Sequence, residues 1–178
     1  MKLTITRLDK NGRYETTITR DDGVTFHVNG VAHAFAIPHD LAHFLVEKTL
    51  HLHHGFWGSI ADGAVFPSMI YVGGRRKPKA AERSKMMLKA NARPLTEAEV
   101  LVRIFNDAIE QGYGQTSPVL RERLKERWAS PGNQPREISQ EKIAELYATY
   151  SGMLSAWRNL PVGGTLDILW PNGRPTRR

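Results

Sequence analysis

Residues 1–37, MKLTITRLDKNGRYETTITRDDGVTFHVNGVAHAFAI, decide the fold. Leu3 and Ile5 alternate with Thr4 and Thr6. Tyr14, Thr16 and Ile18 alternate with Glu15, Thr17 and Thr19, and Val24, Phe26 and Val28 with Thr25 and His27. A period of two is the signature of half-buried strands. Asn11-Gly12 and Asn29-Gly30 read as two-residue hairpin turns, which need positive φ at both positions. Asp21-Asp22-Gly23 reads as a three-residue loop with Gly23 left-handed. Together these turns predict a four-stranded antiparallel meander. They pair Ile18 with both Phe26 and Ile5, Phe26 with His33, and Val24 with Phe35. Leu3, Ile5, Ile18, Phe26 and Val28 are therefore expected on one buried face.

Downstream the period changes from two to that of a helix. Pro38 suits a first helical position, where its missing N–H costs nothing. Leu41, Phe44, Leu45 and Leu52 form the apolar stripe of that helix, with Gly55 as its C-terminal cap. Gly55-Phe56-Trp57-Gly58 opens a short helical apolar segment ending near Gly63, its aromatics packed under a loop, and Phe66 to Val72 reads as a further strand. Ala80 to Ala90 reads as a helix resting on Met86, Met87 and Leu88. Thr96 and Glu99 read as a capping box before the stripe Val100, Leu101, Ile104, Phe105 and Ala108. Ser117-Pro118 and Ser139 start two more helices. Leu166, Ile168 and Trp170 then alternate as a closing strand. The expected fold is α+β, with helices packed on one face of an antiparallel sheet and a C-terminal strand. Residues 1–171 are expected to be one domain with a basic insert at 75–93, followed by a disordered basic tail at 172–178.

The chain has 178 residues and no cysteine, which excludes disulfides and thiolate metal sites. MKLTITRLDK lacks the apolar run of a signal peptide, and no stretch has the roughly 18 apolar residues of a membrane span. A cytoplasmic protein with no membrane partner is expected. No Walker loop, Gly-x-Ser-x-Gly elbow or Gly-x-Gly-x-x-Gly turn is present.

Charge is segregated. Residues 75–93 hold eight Lys/Arg (Arg75, Arg76, Lys77, Lys79, Arg83, Lys85, Lys89 and Arg93) against one acid, Glu82, and carry the whole formal surplus of +7. A concentrated positive field attracts polyanions through backbone phosphates, without reading sequence. Histidine is segregated too, all seven lying between His27 and His54. His39, His43, Glu47 and His51 recur every four residues. His39-Asp40-Leu41-Ala42-His43 has the spacing of a zinc-binding His-Glu-x-x-His helix, with Asp in the Glu position, and Glu47 would be a third ligand. Zinc is the one cofactor the sequence suggests; otherwise none is called for. The plainer reading, preferred on sequence, makes this stripe the solvent face of an amphipathic helix. His33 then reads as a core histidine and His27 as a surface strand residue.

The stretches IPHDLAHFLVEKTL (37–50), GFWGSIADGAVF (55–66) and LPVGGTLDILWP (160–171), with the N-terminal meander, resemble uncharacterised bacterial proteins of similar length. That resemblance implies a bacterial origin and a single domain, and carries over no catalytic residue. The leading expectation is a non-enzymatic protein that binds nucleic acid or another polyanion through residues 75–93. One alternative is a metal-dependent hydrolase centred on His39, His43 and Glu47. Another is a protein–protein adaptor whose basic segment docks an acidic partner.

Overall fold

A computed structural model describes residues 1–32, 36–128 and 137–171. Five strands form one antiparallel sheet: β1 (Lys2–Arg7), β2 (Arg13–Thr19), β3 (Thr25–Val31), β4 (Ile70–Gly73) and β5 (Thr165–Leu169). Their spatial order is β4-β3-β2-β1-β5. Among the described residues the helices are α1 (His39–Thr49), α2 (Phe56–Ala61), α3 (Ala80–Ala90), α4 (Ala92–Glu110), α5 (Pro118–Trp128) and α6 (Gln140–Asn159). The expected α+β class and the closing strand are both present, with β5 pairing to β1.

The period-two reading selects the correct face. Leu3, Ile5, Ile18, Val24, Phe26, Val28 and Ile168 are buried, while Thr4, Thr17 and Thr25 stay partly exposed. The β2–β3 turn is as expected: Ile18 pairs with Phe26, the amide of Gly23 donates to the Arg20 carbonyl, and Gly23 has φ +78°.

Two turns differ from expectation. Ile18 faces Leu3, not Ile5, and Ile5 faces Thr16. The cause is Asp9, whose carboxylate accepts from the amides of Asn11 at 2.8 Å and Arg13 at 3.0 Å. This side-chain turn lengthens the loop and slides the register by two residues, which keeps every side chain on its face. The second difference is larger. Asn29-Gly30 is no turn, because β3 runs straight through it to Val31. Gly30 faces Tyr14 across the ladder, and a Cβ there would collide with the Tyr14 ring. The glycine makes room for an aromatic rather than bending the chain. The N-terminal meander therefore has three strands, and the fourth neighbour of the group is β4, from beyond α2. His33 and Phe35 lie outside the described residues, as do the loop at 130–135 and the tail at 172–178.

Helix α1 crosses the apolar face of the sheet and is covered in turn by α2, α4 and α6. Leu41, Ala42, Phe44, Leu45 and Val46 are buried, as are Leu101, Phe105, Leu120, Leu146 and Tyr150 on the covering helices. Ser139 caps α6 as expected, accepting from the amide of Lys142. The cap of α1 is not Gly55. Its last turn closes on His51, left-handed at φ +55°, with the amide of Leu52 donating to the Glu47 carbonyl at 2.8 Å. That is a Schellman closure with histidine in the position glycine usually takes.

Candidate metal centre

Burial of α1 overturns the solvent-face expectation for His43 and Glu47, while His39 and His51 stay exposed as expected. His43 is 5% exposed and Glu47 0%. A charged pair survives there only if every polar atom is satisfied. His43 Nδ1 lies 2.9 Å from Glu47 Oε1. The same carboxylate accepts from the amides of Phe56 at 2.8 Å and Trp57 at 3.0 Å, the first residues of α2. Gly55 permits this docking, because a Cβ there would strike the Glu47 carboxylate. Glu47 is thus the buried floor of the site.

The other edge of the His43 ring faces outward. Its Nε2 lies 3.0 Å from Glu99 Oε2, and His39 Nε2 lies 3.6 Å from the same oxygen. Glu99 comes from α4 and is 59% exposed. Donor atoms of His39, His43 and Glu99 all fall within 4.8 Å of one another. Three ligands each about 2.0–2.2 Å from one tetrahedral ion sit roughly 3.4 Å apart, and Glu99 Oε2 lies 3.0 Å and 3.6 Å from the two imidazole nitrogens.

Charge distribution follows from the geometry. Burial opposes protonation of His43, but its hydrogen bonds to Glu47 and Glu99 outweigh it and raise the imidazole to about 9. The imidazoles of His39, at 3.6 Å, and His43, hydrogen-bonded at 3.0 Å, hold Glu99 well below the usual carboxylate range. Burial pushes Glu47 upward, against His43 and the two α2 amides.

Asp40, the residue in the place of the usual Glu, is absent from this cluster. It is buried on the sheet side, where it accepts from Thr16 Oγ1 at 2.8 Å, and burial raises its carboxyl. Its backbone carbonyl takes the Trp57 indole N–H at 2.9 Å. Asp40 anchors α1 to sheet and α2 and supplies no base to the cluster.

The third donor of the set, Glu99, is hidden in the sequence by a misleading motif. The pair Thr96 and Glu99 reads as a capping box, but α4 begins four residues earlier, at Ala92, with Pro94 tolerated in its first turn. Thr96 Oγ1 therefore donates back to the Ala92 carbonyl at 3.0 Å, and the Glu99 side chain is free to cross to α1. Pro94 is the available signal, since proline is compatible with a helix start and does not by itself mark a loop.

Of the remaining histidines, His27 pairs with Glu15 across the open sheet face at 3.1 Å, and His51, His53 and His54 are exposed beyond α1. The eight cations of residues 75–93 all lie on the surface, distributed over the strap after β4, helix α3 and the start of α4. Helix α3 has the expected bounds, but Met86 is 72% exposed and gives it no anchor. No described helix is long and apolar enough to cross a membrane. Comparison with protein-family models, curated proteins and solved structures finds no match to this chain.

Proposed function

We propose that this chain binds a zinc-like divalent metal ion through His39 Nε2, His43 Nε2 and Glu99. One observation carries the reading: buried Glu47 grips His43 Nδ1 from behind. A carboxylate on the far nitrogen of an imidazole fixes its tautomer and aims the near nitrogen, the outer-shell arrangement that metal-ligating histidines almost always have. Two histidine nitrogens and one carboxylate oxygen are donors that zinc accepts, and three protein ligands with a solvent-facing position are the pattern of catalytic rather than structural zinc. The chemistry that donor set supports is hydrolysis by metal-bound water.

The test is a zinc titration of purified, tag-free, dialysed protein, with cobalt as a spectroscopic substitute. One equivalent of tightly held metal is expected. Glu99→Gln and His39→Ala should each remove most of the affinity. Glu47→Gln should weaken it by about 10–100-fold while leaving one site per chain. Failure of the parent to bind zinc, or unchanged binding by both ligand variants, would overturn the proposal.

A further inference from the structure

A second feature stands apart from the metal cluster. Every one of the eight cations in residues 75–93 is exposed. Elsewhere Lys2, Arg13, Arg20, Arg123 and Lys142 each have a carboxylate within 4.0 Å. Among the described residues, Arg75, Arg76, Lys77, Lys79, Arg83, Lys85 and Lys89 have no carboxylate within 4.0 Å, and only Lys77 has an acid, Asp22, within longer electrostatic reach. Seven such cations within 15 positions repel one another and destabilise the segment that carries them.

A floppy loop would relieve that repulsion by spreading, yet this segment is held in place. Gly74, at φ +95°, packs on the Gly23–Val24 backbone, where a Cβ would collide. Arg76 lies 3.9 Å above the Tyr71 ring at the sheet edge. Ser84, the one buried residue of α3, donates to the Val65 carbonyl and accepts from the Val65 amide at 2.8 Å. Asn91 joins α3 directly to α4 and donates to Ser59 Oγ at 3.0 Å. Strap and helix therefore present their charge in a fixed arrangement.

We infer that the strap at 75–79 and helix α3 form a docking surface for the phosphate backbone of double-stranded nucleic acid. Charge complementarity selects a polyanion, and a fixed array loses less freedom on binding than a mobile tail. The duplex form follows from Tyr71. It is the last aromatic before Phe105, so the strap and α3 carry no ring of their own and offer no row of platforms for stacking unpaired bases. Backbone contacts alone predict binding without sequence preference. DNA and RNA duplexes share this chemistry, and the measurement separates them.

The experiment is fluorescence anisotropy with short random-sequence DNA and RNA duplexes across a salt series, with a melting curve for each protein. The full chain should bind at low salt, with log K falling linearly in log salt. Replacing Arg75, Arg76, Lys77 and Lys79 by Ser should cost roughly tenfold or more, with the slope on DNA falling by about 0.9 for each phosphate no longer neutralised. Replacing Arg83, Lys85 and Lys89 by Ser should act in the same direction, so the inference does not depend on one variant folding. Replacing exposed Lys10, Lys48, Arg121 and Lys125 by Ser removes the same charge as the first variant and should leave affinity nearly unchanged. Equal losses from both four-residue sets would reduce the effect to net charge and overturn the inference. So would failure of the parent to bind either duplex at low salt, the outcome expected if the surface docks an acidic protein instead.

Discussion

The His43 cluster and helix α3 both gather ionisable groups, and they handle them in opposite ways. Around His43, two carboxylates close on one imidazole, and the buried one is also bonded by two backbone amides. On α3 and its strap, seven cations have no carboxylate within 4.0 Å among the described residues. The interior cluster carries a desolvation cost that only complete pairing offsets. The surface array carries a repulsion that salt screens within about 10 Å at moderate ionic strength. Charge in the first place fixes a geometry; charge in the second generates a field. The two should therefore respond differently to substitution, to metal and to salt.

The largest difference should come from deleting a partner in each. Glu47→Leu strands a buried imidazole and the amides of Phe56 and Trp57, so a loss of about 3–5 kcal/mol is expected in denaturant unfolding. Gly55→Ala should destabilise in the same direction, by about 1–3 kcal/mol, because the new methyl group strikes the Glu47 carboxylate. Replacing Arg83, Lys85 and Lys89 by Ser should change stability by less than about 0.5 kcal/mol. A Glu47→Leu cost as small as that of the α3 variant would erase the distinction.

Metal should separate the regions next. Free zinc at a hundred times its dissociation constant should raise unfolding stability by about 2.7 kcal/mol, and chelation should reverse it. Glu99→Gln should abolish that gain while costing little by itself, since Glu99 is 59% exposed. Thermal or chemical melts with and without zinc decide this. A gain that survives Glu99→Gln would place the metal elsewhere.

How much of the molecule is legible in its sequence depends on how local each determinant is. Strand faces are legible because alternation is local and survives a two-residue slip, which is all that Asp9 causes. Asn29-Gly30 misleads because a hairpin dipeptide and a glycine facing an aromatic look alike until Tyr14 is known to lie opposite. At the site, the pair His39 and His43 is legible from helical spacing. The burial of His43 is not, because it depends on α4 and α6 covering α1 from far along the chain, while His39 stays exposed. Glu99 lies 56 residues from His43, and no spacing rule reaches that far. Glu47 has the periodicity of a ligand, yet it forms the floor instead, because α2 docks on its carboxylate. The charge of residues 75–93 is legible from composition, whereas its rigidity rests on Ser84, Asn91 and Gly74, whose partners are all in other segments.

A smaller effect tests whether every histidine near the cluster shares its logic. His51 sits one turn beyond Glu47 but serves the backbone, closing α1 in the left-handed region at φ +55°. That conformation costs a residue with a Cβ about 1–2 kcal/mol. His51→Gly removes the cost and adds unfolded-state freedom, leaving a net gain of about 0.5–1 kcal/mol. His51→Val should lose stability, because branching at Cβ is poorly tolerated there. Unfolding free energies of the two variants check the sign. Loss of stability in His51→Gly would mean that the imidazole is valued for its charge, as in the cluster.

The smallest expected change is the most pointed, because it should move stability and binding in opposite directions. Arg83 lies in the first turn of α3, where the positive end of the helix dipole disfavours a cation, and four residues after Lys79. Arg83→Glu reverses both effects and should stabilise the chain by about 0.5 kcal/mol at low ionic strength. Because the benefit is electrostatic and exposed, it should fade in high salt, unlike the loss in Glu47→Leu, which is buried and screened much less. The same substitution removes one cation from the array and adds a repelling anion, so affinity for duplex nucleic acid should fall. A paired melt and anisotropy titration at two salt concentrations reads both. If Arg83→Glu destabilises at low salt, the clustered charge of α3 is not a cost to the fold, and the contrast with the His43 cluster loses its energetic basis.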